Sequence, residues 1–274
     1  MSDNGRFNMS DKLRFWESWS PYWSYIEDNY LDLDSIDRLA SMINDPALVI
    51  GAGQGILVEA LRNKGLTVDG IDAEPEMVAY AARRRNLDII LANGGKMPVD
   101  DNTYRTAVIA TGVIDFLDDE EQIRSILNEA VRVTEDNGKV FIAFYRLQAQ
   151  AEELMRYVGL LTDDSRWRIR GMFELFRLKP IDLVKAVAKE ANVSFAGAFF
   201  KLLRLRMRMP RKENKAIKRW TEMWEKIDNP RQLIASVPDS LPCRNEESIR
   251  TLFDNLDIPI KEMFQSTSCL TAQI

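Results

Sequence analysis

Val49-Ile50-Gly51-Ala52-Gly53-Gln54-Gly55 is the stretch on which the fold turns. A short apolar run over residues 47–50 leads into three glycines at alternate positions, and a helical pattern follows to Lys64, closed by Gly65. Glycines between a strand and a helix let the backbone turn tightly and approach a ligand with no Cβ in the way. A dinucleotide fingerprint, GxGxxG, places its third small residue at position 56. That position holds Ile56, so the spacing here is GxGxG. Residues 67–71 read as the next strand, ending at Asp72, about 20 residues past the glycines, where an acidic residue can take a ribose diol. The same aspartate also suits a helix N-cap or a turn.

Outward from this core, Pro75 opens a helix to residue 86 and residues 89–92 read as a strand. Residues 100–104 read as a turn and 106–111 as another apolar strand. An amphipathic helix spans 119–134, with Ile123, Ile126, Leu127, Ala130 and Val131 at helical spacing. Asp136-Asn137-Gly138 is a turn before a strand over 139–145. The run β-α-β-α-β-β-α-β, with its third helix poorly defined, implies a parallel sheet covered on both faces. Upstream, residues 11–43 read as helical and rich in aromatics, with Pro21 opening a second helix behind a Ser20 cap. Residues 146–240 break the α/β rhythm and read as mostly helical. Between Arg166 and Lys226 stand 17 Lys/Arg against 6 Asp/Glu, a net of +11, while the rest of the chain carries −16. That asymmetry marks a separate structural unit. The chain then returns to α/β, with a helix over 246–255 and strands over 258–264 and 268–273.

Composition narrows the chemistry. The 274 residues suit one large domain with an insertion, and 46% hydrophobic with 29% charged residues is ordinary globular usage. There is no histidine, which removes a His-based triad, a His-ligated metal and the usual neutral-pH base. The two cysteines, Cys243 and Cys269, form no CxxC pair, so neither a disulfide framework nor a cysteine zinc site is expected, and no metal is. The N-terminal residues lack a signal-type apolar core, and no apolar run approaches the ~18–20 residues of a membrane span. A cytoplasmic setting is expected. The net charge of −5 argues against a protein that coats nucleic acid, and no recognition module for nucleic acid is evident.

With these motifs in order, the chain resembles the class I S-adenosylmethionine-dependent methyltransferases over residues 47–145 and about 245–274. The resemblance implies a Rossmann-like α/β fold with a seven-stranded sheet, an N-terminal aromatic helical segment, and a mostly helical insertion between strand five and the last helix. It divides the chain into an N-terminal lid (1–45), a cofactor-binding core (46–145), a helical cap (146–240) and a C-terminal part completing the core (241–274). It implies that Gly51, Ala52, Gly53 and Gly55 lie beneath the methionine part of S-adenosylmethionine, and that Asp72 holds the ribose. Ala73, Met77, Asn93 and Gly94 then line the cofactor, with Asn93 near the adenine amino group. Thr111 and Gly112 border it after strand four. The Lys96–Tyr104 stretch resembles the family's LPF-x-DNSFD segment. One position departs: where the family carries an acid two residues before the first glycine, this chain has Val49.

Methyl transfer from a sulfonium is an in-line displacement in which the protein supplies alignment and desolvation. A base is needed only if the acceptor must lose a proton. The candidates are Asp115, which also reads as a turn residue, and Tyr145, which also reads as packing. S-adenosylhomocysteine is the expected product. Trp16, Trp19, Tyr22, Trp23 and Tyr25 read either as a lid over cofactor and acceptor or as the apolar face of a docked helix. Residues 195–210 interleave basic and apolar side chains. They suit contact with an anionic membrane, attraction of an anionic acceptor, or a plain cap helix with solvated arginines. The expectation is an enzyme acting on a small, hydrophobic or anionic acceptor, with no nucleic-acid partner. Its alternatives are a non-catalytic cofactor-binding or membrane-peripheral protein that keeps the fold, which Val49 favours, and a nicotinamide oxidoreductase, which Ile56 and the two-stranded ending oppose.

Overall fold

A computed structural model describes residues 15–19, 21–22, 33–114, 117–145, 149–162, 166–208, 218, 222–265 and 269–274. These fall into two compact units. Residues 15–19, 33–145 and 244–274 form one, and residues 21–22 and 149–243 form the other.

The first unit is built on strands β1 (Ala47–Ile50), β2 (Val68–Asp72), β3 (Ile90–Leu91), β4 (Tyr104–Ile109), β5 (Thr134–Tyr145), β8 (Glu262–Gln265) and β9 (Cys269–Gln273). They form one sheet in the order β3-β2-β1-β4-β5-β9-β8. The first five strands run parallel, and β9 pairs antiparallel with both β5 and β8. Central β1 is buried along its whole length, as a parallel strand covered on both faces must be. Successive side chains point to opposite faces. Leu48 and Ile50 therefore join Ile123, Ile126 and Leu127 of the Glu120–Arg132 helix and Ile249 and Phe253 of the Glu246–Asn255 helix. Ala47 and Val49 join Leu57, Val58 and Leu61 of the Ile56–Arg62 helix, with Leu39 and Ile43 of the segment that begins with the Leu33–Met42 helix.

Local chemistry sets the helix ends. Asp119 caps its helix by accepting from the Glu121 N–H at 3.0 Å. Asn245 and Ser248 form a reciprocal capping box. Pro75 stands in the first turn of the Pro75–Arg85 helix, and Asn86 ends it in the left-handed region.

Residues 92–103, between β3 and β4, form turns and extended chain where the third helix was poorly defined. One expectation changes. The turn expected at 136–138 is absorbed into β5, which begins at Thr134 opposite Tyr104 and re-registers so that Lys139 faces Thr106. A Cβ on Gly138 would lie 2.8 Å from the Arg105 carbonyl oxygen, so only glycine fits that bulge. Pro21 and Tyr22 form a 3₁₀ turn, and the helix expected to follow falls on residues 23–32, outside those described.

The second unit holds helices Ala149–Tyr157, Ile169–Phe176, Pro180–Glu190, Phe195–Arg208 and Pro230–Ala235, and a two-stranded ribbon of β6 (Arg166–Trp167) and β7 (Leu241–Pro242). Its core includes Trp167, Phe173, Val187, Met223, Trp224, Ile234 and Val237. Phe173 meets Trp224 edge-on with ring centroids 6.2 Å apart. No described helix is long and apolar enough to cross a membrane.

Candidate functional site

The strand order reverses between β1 and β4, and in open sheets of this kind ligands bind beyond the carboxyl ends of the strands at such a switch. Two loops meet there. After β1, the Gly51 and Ala52 N–H groups both donate to the Ile71 carbonyl at 2.8 and 2.9 Å, folding the loop back over β2. Gly51 has φ +77° and packs so closely that a Cβ would sit 2.0 Å from Val113 Cγ2, in the loop after β4. Gly53, at φ +54°, is the opposite case: a Cβ there would meet nothing within 4 Å, so its outer face is open to a ligand. Gly55 starts the Ile56–Arg62 helix at φ +80°.

Asp72 ends β2 and organises the mouth of the site. Its Oδ2 accepts the Gly53 N–H at 2.7 Å, and its Oδ1 accepts the Glu74 N–H at 2.9 Å. A carboxylate offers acceptors only, the residue chemistry that can take the hydroxyls of a diol. Ala73 is half-buried beside it, and Met77 is buried on the first turn of the next helix. After β3, Asn93 closes a turn by accepting the Gly95 N–H on Oδ1 at 2.8 Å, with Gly94 half-buried between them. The following segment is held down by Arg132, which donates to the carbonyls of Met97 and Val99 and to Asp101 and Glu129. Hydrogen bonding from Arg132 holds the Glu129 carboxyl below its usual range, and the Met97 N–H adds to that.

Thr111 and Gly112 are half-buried after β4, and Gly112 has φ +81°. Asp115 lies outside the described residues. Tyr145 stands at the carboxyl end of β5 and is exposed. Of the aromatic set, Trp19 is buried to 1% exposure and packs on Phe15 at 6.0 Å, so it serves as core; Trp16 is half-buried against Phe15 at 4.7 Å. Tyr22 is half-buried, and Trp23 and Tyr25 lie outside the described residues.

Two side chains stand out that the sequence did not single out. Gln54, in the middle of the glycine loop, is 5% exposed, and its Oε1 is buried with no hydrogen-bond partner. Such an acceptor costs about 1–3 kcal/mol unless something donates to it. Glu74 is also 5% exposed and accepts from the Glu76 N–H at 3.3 Å. Burial raises its pKa, and the carboxylates of Glu17, Asp72 and Glu76 add to the rise. The coupling to Glu17 sets the 15–19 helical segment close to the carboxyl end of β2. Gln54 was visible in the motif and Glu74 at the cap position, but burial depends on neighbours distant in sequence.

Val49 is fully buried in the apolar cluster with Ala52, Leu57 and Val58, so the acid that the resemblance led one to look for is replaced by core. Burial pushes the Cys243 thiol up to about 11, and Cys269 is buried. An open depression of about 430 Å³ lined by Asn44, Asp45, Arg105, Glu135 and Asn137 lies at the amino ends of β1 and β4, away from the switch.

Residues 48–142 match the family described as a methyltransferase domain. A demethylmenaquinone methyltransferase from Corynebacterium urealyticum is 32% identical over 106 residues, which is 39% of this chain and 44% of that protein. A ubiquinone biosynthesis O-methyltransferase from Chromobacterium violaceum is 41% identical over 68 residues, 25% of this chain and 29% of that one. The chain thus spans less than half the length of these relatives. Among solved structures, a Rhodobacter sphaeroides protein provisionally described as a zinc-dependent alcohol dehydrogenase aligns over 96% of both chains at TM-score 0.53 and 13% identity. At that identity the likeness is one of fold alone. No cluster of His, Cys, Asp or Glu suited to a metal occurs among the described residues. An antiparallel β9 between β5 and β8 also departs from the six-stranded parallel dinucleotide sheet. On its fold and on this match, the segment 48–142 is similar to the methyltransferase domain of the matched family.

Proposed function

We propose that this chain transfers a methyl group from S-adenosylmethionine to a small hydrophobic or anionic acceptor, releasing S-adenosylhomocysteine. The observation that carries the reading is the glycine loop tied to Asp72 at the sheet switch, with an open face at Gly53 and an unsatisfied buried acceptor on Gln54. The residues present fit the cofactor. Asp72 suits its ribose, Asn93 and Ala73 its adenine end, and the Gly51–Gly55 loop its amino-acid end. When bound, the sulfonium supplies an electrophilic methyl group. The protein then has three tasks: to orient the acceptor, to exclude water and, where the acceptor is protonated, to take its proton.

For that last task Asp115 and Tyr145 are the candidates, and an acceptor that is already nucleophilic needs neither. Trp16, Tyr22, Trp23 and Tyr25 are read as the lid, and Ala52, Met77, Gly94, Thr111 and Gly112 as further cofactor contacts. The helical segment inserted between β5 and the Glu246–Asn255 helix is read as the acceptor-recognition part. The names of the relatives, which concern quinone precursors, favour a quinone-like acceptor. A peripheral membrane contact through 195–210 belongs to the same reading, as does a cytoplasmic location.

The test is calorimetric titration with S-adenosylhomocysteine, followed by an acceptor screen of lipids, quinones and small acids. Low-micromolar binding lost in Asp72→Ala, with turnover on one acceptor class, is the expected result. Val49 favours a second reading, a domain that binds cofactor without turnover. Binding without turnover on any class of acceptor would select it.

A further inference from the structure

The Phe195–Arg208 helix keeps Ala198 and Leu205 in the core of its unit and leaves most of its remaining circumference in solvent. At about 100° per residue, Phe195, Phe199, Leu203, Ala196, Met207 and Phe200 follow one another around an arc of about 140°. Every one of them is exposed, Phe200 to 66% and Met207 to 72%. Single exposed apolar residues are ordinary, but an aromatic and aliphatic arc that runs uninterrupted from Phe199 to Phe200 marks a contact surface. Val193, just before the helix, is exposed too.

The charges select the partner. The helix contains no acidic residue and carries Lys201, Arg204, Arg206 and Arg208. Arg204 and Arg208 border the Phe200 edge of the arc, and Arg206 lies within its Phe195 end. All three arginines are exposed. Lys201 is engaged by Glu153 and lies 5.3 Å from the Tyr157 ring centroid, so it belongs to the packed side; Arg208 also reaches Glu153, at 4.0 Å, but stays exposed. A helix with Phe, Leu and Met on one sector and arginines at the sector's borders has the pattern of an interfacial helix, its apolar side chains entering the acyl boundary while the guanidinium groups meet anionic headgroups.

We infer that the Phe195–Arg208 helix docks this protein on an anionic membrane surface, with Phe199, Phe200 and Met207 inserted and Arg204, Arg206 and Arg208 at the headgroups. This deepens the reading of a hydrophobic, quinone-like acceptor and rests on it only for why such an enzyme visits a membrane. The docking itself is tested apart from catalysis.

The experiment is co-sedimentation of the full chain with phosphatidylglycerol-containing vesicles and with phosphatidylcholine vesicles, as a function of salt. Wild-type protein is expected to bind the anionic vesicles and to release as salt rises. Phe199→Ser with Phe200→Ser is expected to weaken binding about tenfold or more. Each of Arg204→Gln and Arg206→Gln is expected to weaken it about fivefold. All these side chains are solvent-facing, so circular dichroism and S-adenosylhomocysteine titration should be unchanged. Loss of the titration signal in wild-type protein would sink the methyltransferase reading and leave docking standing. Equal binding to neutral vesicles, or binding untouched by the variants, would overturn the inference. So would a concentration-dependent dimer broken by the Phe199/Phe200 variant in protein that ignores vesicles, which would make a second copy the occupant.

Discussion

The Gly53 N–H donates to Asp72 Oδ2 at 2.7 Å, so the glycine loop after β1 and the acid after β2 are one unit and not two adjacent motifs. The other oxygen of Asp72 takes the Glu74 N–H, which fixes the start of the Pro75–Arg85 helix by the same side chain. A single carboxylate therefore shapes the loop, the helix entry and the candidate ribose contact.

Asp72→Ala removes all three at once. Hydrogen bonds to a charged group are worth about 1.5–3 kcal/mol each. S-adenosylhomocysteine affinity is expected to fall about 10- to 100-fold or more, with a smaller loss of thermal stability. Asp72→Asn keeps one acceptor and should fall between, as calorimetry will read directly.

Gln54 offers a trade between stability and binding. Gln54→Met keeps the volume and removes the buried acceptor. The ligand-free protein should gain about 1 kcal/mol or more in denaturant unfolding, while cofactor affinity drops about fivefold or more. An unchanged affinity would mean that nothing in the cofactor donates to this amide.

Restoring the acid at position 49 should fail. Val49 is sealed among Ala52, Leu57 and Val58. An unpaired carboxyl there is expected to cost about 3 kcal/mol or more. Val49→Asp should lower the unfolding midpoint with no gain in S-adenosylhomocysteine binding; tighter binding would show that the position had kept its site.

Glu74 predicts a pH dependence. Burial raises its pKa in the folded protein, so the folded state holds the proton more tightly than the unfolded state does. Its favourable contribution is complete below the unfolded value and is lost as pH rises through the folded one. Glu74→Gln keeps an acceptor for the Glu76 N–H and cannot ionise. Its melting temperature should exceed that of wild type at neutral pH, with the difference vanishing in acid. A difference that does not change with pH would rule out the carboxyl as its source.

Much of this molecule was legible along the chain because the signals are local. Gly65 after a helical run, Pro75 in a first turn and the GxGxG spacing each act within a few residues, and each stands where expected. The apolar run of β1 was visible too, although not which residues its two faces would meet. The bulge at 135–138 lies where pairing between β4 and β5 overrode turn chemistry.

What the amino-acid order determined by itself was the succession of elements and the place of the glycine loop between β1 and the helix after it, since both depend on periodicity and backbone freedom over short spans. Tertiary structure alone decided that Val49 is core, that Gln54 is buried without a partner, that Glu74 resists ionisation beside Asp72 and Glu17, and that the aromatic arc of Phe195–Arg208 faces outward. Each of these is a matter of desolvation, and how much water a side chain retains is set by neighbours that the chain brings together only on folding.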